Sequence, residues 1–508
     1  MVLKTITTTN GSMPRSRLRQ KTISFNGILQ FCNGIVACLI FSGFFTEALS
    51  GHPYMDWLTL FLGLAMCLQT HFVLMIERYR PDPFVLIMSY LLIFFYETRI
   101  FTLLLYPVQG AFERFIYGPS DSNYALLYIL VANTFIYAGL YKIKIRDSAV
   151  IKIGNYRPLR PRLGIVLFII SILFGQFIRD KLPGTVEPFI NLIYDNFFTP
   201  NVILMVLAAY IIVFRNSLPP VYVKILLIGA VLILILQTMA FSRSALLTFA
   251  NNFLIVVLAL LPTLRISRKY VLIGFTFMPV LLVTAFTFYA ISTTSRMNKG
   301  DKGSTFTEKV ELFQASLEVL DNNPQIDFFL GRAFSRAGFF DFSAEIIANS
   351  DHYSGVFTAG NYFKSIVDNL LSPGFDVFDQ PKLSNSLKYA YSNVLGNPAK
   401  SKEIGGVYHT DFFGIYGEMY GLFHYASLPV VYIIAYMLKS AFRCKGKVNP
   451  RLIALKRILI LWIFFQLMNS YGFDWLLIDA VIIGLSYYGI SKLFLLRIKL
   501  NHKFVDLV

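Results

Sequence analysis

Met55 to Arg80 reads MDWLTLFLGLAMCLQTHFVLMIERYR. From Trp57 to Ile76 it holds no Asp, Glu, Lys or Arg, and Arg78 and Arg80 follow at once. A helix needs about 20 apolar residues to cross roughly 30 Å of hydrocarbon. Lys and Arg beside such a helix mark the side that is not translocated. This one stretch therefore predicts both a membrane crossing and its direction, and the same two tests extend along the whole chain.

Composition agrees with the first test. Of 508 residues, 56% are hydrophobic, 16% aromatic and only 15% charged, against about 25% charged in soluble domains. Apolar runs near 24–45, 55–76, 84–106, 122–141, 163–179, 200–214, 222–241, 245–263, 270–292, 419–438, 456–470 and 474–491 predict an all-α polytopic membrane protein. The expected count is about 12 transmembrane helices. Because the fifth, sixth and eleventh runs are short, the range is about 10 to 14. The expected division is a basic N-terminus at 1–23, spans one to nine at 24–292, an external helical loop at 293–410, a re-entry segment and the last three spans at 411–491, and a basic tail at 492–508.

Charge supplies the second test. With the N-terminus inside, Arg78, Lys142, Lys144, Arg146, Arg265, Arg268, Lys439, Arg443 and Lys456 fall in alternate, cytoplasmic segments, and both termini are cytoplasmic. The net charge of +17 then reads as anchoring beside anionic lipid and not as a nucleic-acid surface. Cys32, Cys38, Cys67 and Cys444 lie in apolar runs or a basic loop, which indicates no disulfide framework. The N-terminal apolar run lacks a small-residue cleavage pattern and is expected to stay as the first span.

The 293–410 segment differs from the rest. It carries 13 of the 29 acidic residues and nearly balances them with Lys and Arg. Thr305 and Glu308 form a capping-box pattern, and Phe306, Val310, Phe313, Leu317 and Leu320 then share a helical face. Asn361–Leu371 reads as a second short helix, ended by Ser372-Pro373-Gly374.

Ionisable residues at membrane depth or at its outer edge are the candidates for function. Arg243 sits in a short external turn, where an arginine also serves as a lipid-phosphate anchor. Arg296 follows the ninth run, and Arg332 and Arg336 are spaced for one helical face. Such arginines suit a pyrophosphate, because the guanidinium fork donates two parallel hydrogen bonds and keeps its charge; surface ion pairs are the plainer alternative. Glu97 and Arg99 lie inside the third run, either pairing with other helices or facing a substrate cavity. His352 and His409 are the histidines of the outer loop, each able to take a proton near neutral pH. Asp411 to Gly421 brings Asp411, Glu418 and several glycines to the point of re-entry, and glycine permits close backbone approach. No metal-ligand spacing, phosphate loop or nucleotide motif is present, so neither cofactor nor metal is expected.

At Ser242-Arg243-Ser244, the external loop and Gly417-Glu418-Met419-Tyr420-Gly421-Leu422-Phe423-His424, the chain resembles the Wzy-type polymerases of bacterial O-antigen, capsule and exopolysaccharide pathways. The likeness covers roughly 226–440. It departs at His424, where the family commonly carries the Gly of a Phe-Gly pair. The resemblance implies a glycosyltransferase of the cytoplasmic (inner) membrane that joins glycan repeat units on undecaprenyl pyrophosphate. Its partners would be a lipid-linked donor and acceptor, a flippase and a chain-length regulator. Arg243, Arg296, Arg332 and Arg336 would then stabilise the leaving pyrophosphate. Glu418, His409, Asp411 and His352 would be the candidate bases. An O-antigen ligase shares this architecture and differs in its acceptor. A flippase or secondary transporter fits less well, since the long insertion is external and no repeated halves are visible.

Overall fold

The computed structural model describes residues 22–79, 81–105, 117–143, 245–261, 265–269, 339–355, 357–371, 414–443 and 450–469, with isolated positions between them. A short strand β1 (Thr22–Ser24) leads into α1 (Phe25–Ser42), followed by α2 (Trp57–Ile76). Next come α3 (Pro83–Leu105), whose middle turn Leu92–Glu97 is π-helical, and α4 (Pro119–Lys142). After them are α5 (Ala245–Leu260) and β2 (Arg265–Ser267). Then follow α6 (Phe339–Ala348), α7 (Ser350–Tyr353), α8 (Ala359–Leu371), α9 (Gly414–Phe423), α10 (Ser427–Phe442) and α11 (Pro450–Asn469).

Among the described residues, five stretches are long and apolar enough to cross a membrane: Phe25–Phe45, Trp57–Ile76, Pro83–Leu105, Pro119–Lys142 and Gly414–Phe442. The first four match the predicted runs within a few residues. Their starts are set by local chemistry. The Ser24 hydroxyl accepts from the Gly27 amide, Asp56 and Thr59 form a capping box, and Asp82 accepts from the Phe84 amide with Pro83 as first helical residue. Each satisfies backbone donors that a helix start would otherwise leave open. α3 is the most enclosed of the described spans, with Phe84, Leu86, Ile87, Leu92, Ile93 and Ile100 all buried. α1 and α2 instead keep Phe31, Phe41, Phe61, Leu68 and Phe72 exposed, as a lipid-facing surface requires.

The two ends of the bundle differ in charge. At one end β1 pairs antiparallel with β2, opposing Ser24 to Arg265, and the Asn26 side chain bonds the Leu74 carbonyl. Lys439 meets Asp82 at 2.5 Å and lies over the Tyr141 ring, while Arg457 lies over Phe442. This end thus gathers segments that the positive-inside pattern assigns to one side, although they are far apart in the chain. At the other end His52 bonds the Leu103 carbonyl, Ser122 donates to the Tyr54 carbonyl, and Asn123 bonds Asp56. That end carries Glu47, Asp56 and Asp121 near its turns.

The run Gly414–Phe442 is not one straight crossing, and α4 serves as the ruler that shows it. From the Pro119 end inward, the Tyr124 hydroxyl meets those of Tyr420 and Tyr425, and Tyr128 bonds Ser427 at 2.7 Å. Deeper, Asn133 accepts from Tyr416, and Gly139 abuts the Tyr432 carbonyl. A continuous helix would hold Tyr416 about 16 Å further from the basic end than Ser427. Instead Tyr416 reaches Asn133, about 7 Å closer to that end than Tyr128. The chain reverses at His424–Ala426, where His424 has φ 47°. The predicted crossing at 419–438 is therefore corrected to a re-entrant helix, α9, that rises toward the acidic end, and a crossing helix, α10, that descends beside α4.

Among the remaining runs, 245–263 corresponds to α5 and 456–470 to the longer α11. α5 is tied to α3 by the Tyr90 hydroxyl on Asn251 at 2.8 Å, and α11 sets Phe464 on Phe84. Within the predicted outer loop, the expected helix Asn361–Leu371 is α8. The runs 163–179, 200–214, 222–241, 270–292 and 474–491, and the Thr305–Glu308 cap, lie outside the described residues apart from isolated positions.

Candidate functional site

α9 carries its glycines on one side. A Cβ on Gly417 would stand 3.1 Å from the Ser343 backbone, and one on Gly421 would stand 2.5 Å from the Phe357 ring. These spaces let α6 and the turn after α7 lie directly on α9, as small residues do wherever helices approach closely. α9 begins at Gly414 with φ 64°, a left-handed conformation that glycine adopts without penalty. The glycines of the re-entry segment thus serve close approach, as expected from the sequence.

Glu418 occupies this same side of α9. It is 6% exposed and accepts a 2.5 Å hydrogen bond on Oε1 from the Tyr362 hydroxyl of α8. A carboxylate removed from water needs such a donor, since burial without compensation is costly. Two segments of the 293–410 region therefore converge on the re-entrant helix: α6 with Ser343, and α8 with Tyr362. Ser343 also lies against the Tyr96 hydroxyl of α3, whose ring meets Tyr416 edge-on at 5.2 Å.

Arg99 extends the cluster. Its Nε donates to Asp341 Oδ2 at 2.8 Å and its Nη2 stands 2.7 Å from the same oxygen. The residues are 2% and 0% exposed. Asp341 belongs to α6, so an ion pair fixes a piece of the predicted outer loop inside the bundle. The Tyr117 hydroxyl, just before α4, also faces Asp341.

Glu97 behaves differently from Arg99. Its Oε2 accepts from Asn33 of α1 at 2.9 Å and its Oε1 from Thr70 of α2 at 2.6 Å. It ties three helices together at the π-helical turn of α3, which is the bundle-stabilising role and not an open cavity wall. Of Glu97 and Arg99, only Arg99 points to the segments that surround α9.

His352 is carried by α7, which packs against α9. His409, Asp411, Arg243, Arg296, Arg332 and Arg336 lie outside the described residues. Two members of the cluster, Asp341 and Tyr362, were missed by reasoning from sequence. Asp341 sits in FFDF (339–342), where an acid flanked by aromatic residues is a signal of burial with a partner. Tyr362 in GNYFKS carries no comparable signal. Among the described residues no three His, Cys, Asp or Glu side chains are grouped to hold a metal ion.

The arrangement places a carboxylate with a phenolic donor, and a guanidinium with its counter-ion, in the half of the bundle away from the basic end. A carboxylate so held can accept a proton from a hydroxyl brought beside it. No protein-family model, no curated protein and no solved structure matches the chain.

Proposed function

We propose that this chain is a membrane glycosyltransferase that polymerises oligosaccharide repeat units carried on undecaprenyl pyrophosphate, at the outer face of a bacterial cytoplasmic membrane. The observation that carries the reading is Glu418, held by Tyr362 on a helix that folds back into the bundle from the end away from the basic segments. Basic segments stay in the cytoplasm, so Glu418 faces the side where exported glycans are assembled. About twelve crossings, with both termini cytoplasmic, complete the architecture.

In the proposed reaction a hydroxyl of the acceptor's non-reducing sugar attacks the anomeric carbon of the donor glycan. The new bond is carbon–oxygen. The bond that breaks joins the anomeric carbon to the phosphate oxygen, and its electron pair leaves with the lipid pyrophosphate. The hydroxyl proton passes to the Glu418 carboxylate, with His409, Asp411 and His352 as the other candidate bases. Arg243, Arg296, Arg332 and Arg336 offer the charge that a departing pyrophosphate needs. Neither nucleotide nor metal enters the balance.

Loss of the gene separates this reaction from ligation to a lipid core. A polymerase defect leaves single repeat units on the final acceptor. Full-length chains stranded on the carrier lipid would instead assign the chain to ligation and overturn the proposal.

A further inference from the structure

On the opposite side of α9 from Glu418 lies a second feature that the proposed reaction does not use. Tyr420 is surrounded edge-on by four rings: Tyr128 at 5.0 Å, His424 at 5.3 Å, Tyr425 at 5.9 Å and Tyr124 at 6.3 Å. The hydroxyl of Tyr124 meets that of Tyr420 at 2.9 Å and also that of Tyr425. Tyr420 is buried, but Tyr425 is 61% exposed and His424 is exposed beside it. The reversal between α9 and α10 holds His424 in the left-handed region, where glycine would sit without penalty. A side chain kept at such a position points to a use for it.

We propose that the tip of this hairpin is a carbohydrate-binding platform, taking one pyranose ring on the Tyr425 and His424 faces. A sugar presents an apolar C–H face and a rim of hydroxyls. Exposed aromatic rings match the first, and converging phenolic hydroxyls, each both donor and acceptor, match the second. A ring that only anchors a protein at the lipid interface directs its hydroxyl outward to headgroups. Here the hydroxyls turn toward one another and a ring is left uncovered. The platform is separated from Glu418 by about one helix diameter, roughly 10 Å, so it acts as a distal subsite that orients the glycan. This assignment rests on the proposed function for its biological role, but not for the binding itself.

Saturation-transfer NMR on the full chain in nanodiscs tests it, with the methyl α- and β-glycosides of glucose, galactose, mannose and N-acetylglucosamine as probes. At least one glycoside should receive saturation, strongest on the protons of one ring face. Tyr425→Ala should weaken that transfer about fivefold, the order of one aromatic contact. His424→Gly, which suits the turn, should weaken it as well without loss of fold. Transfer to none of the eight probes, or transfer unchanged in both variants, overturns the platform and leaves Tyr425 as a lipid-interface residue. If Tyr425-dependent binding is found but no lipid-linked unit is elongated, the platform stands and the polymerase reading falls. If elongation depends on Glu418 and no glycoside binding depends on Tyr425, the reverse holds.

Discussion

Arg99 and Asp341 are 242 positions apart in the chain and 2.7 Å apart in space, and both are removed from solvent. Removing either partner leaves a buried charge uncompensated, at a cost of about 3–5 kcal/mol. Arg99→Met and Asp341→Leu alone should each sharply lower the detergent melting midpoint. The double variant should recover most of the loss, because an apolar pair of similar volume replaces a buried ion pair at little cost. Additive losses in the double variant would mean that the two residues do not act as a pair.

Glu77, at the end of α2, stands beside Asp82, and Lys439 pairs with Asp82. Burial, then the Asp82 charge, push the Glu77 carboxyl up to about 7 from an ordinary 4.5. The folded state therefore holds a proton that the unfolded state has released between those values. Stability should fall as pH rises through this window, by an order of 2–3 kcal/mol. Glu77→Gln should flatten the melting midpoint between pH 5 and pH 7.5. An unchanged slope in that variant would assign the dependence to other groups.

Gly139 of α4 has no room for a side chain: an added Cβ would stand 2.5 Å from the Tyr432 carbonyl oxygen of α10. Gly139→Ala must push two helices apart and should cost about 1–3 kcal/mol. Gly34 of α1 has nothing within 4 Å, so Gly34→Ala is the control and should be neutral or slightly stabilising. Equal melting midpoints for the two variants would contradict the close crossing of α4 and α10.

His424 tests the reversal between α9 and α10 directly. A left-handed residue other than glycine costs about 1–2 kcal/mol. His424→Gly should therefore raise the melting midpoint, and His424→Val, with a branched Cβ, should lower it. A His424→Val variant as stable as the parent would argue against the turn.

Much of this bundle is legible in the sequence, for physical reasons that also explain what is not. α1 to α4 follow from apolar length, and the shared end of Arg265 and Lys439 follows from charge, because both are one-dimensional properties of the chain. The reversal at His424 is not, since Gly414 to Phe442 reads as one apolar run whether it is straight or folded back. Only contacts with Asn133, Tyr124 and Tyr128 distinguish the two. Glu418 was visible as an acid at the mouth of a span, and Arg99 as a charge inside one. Their partners Tyr362 and Asp341 were not, because pairings across more than 50 residues leave no local spacing to read.

In the proposed reaction Glu418 takes the acceptor's proton during glycan transfer. Purified protein incubated with a lipid-linked repeat unit, without nucleotide or metal, should yield a ladder of longer lipid-linked glycans. Glu418→Gln keeps the shape of the side chain and removes the base, so at equal protein level the ladder should slow by about 100-fold or more. A Glu418→Gln protein that builds the ladder at the parent's rate would mean that Glu418 is not the base.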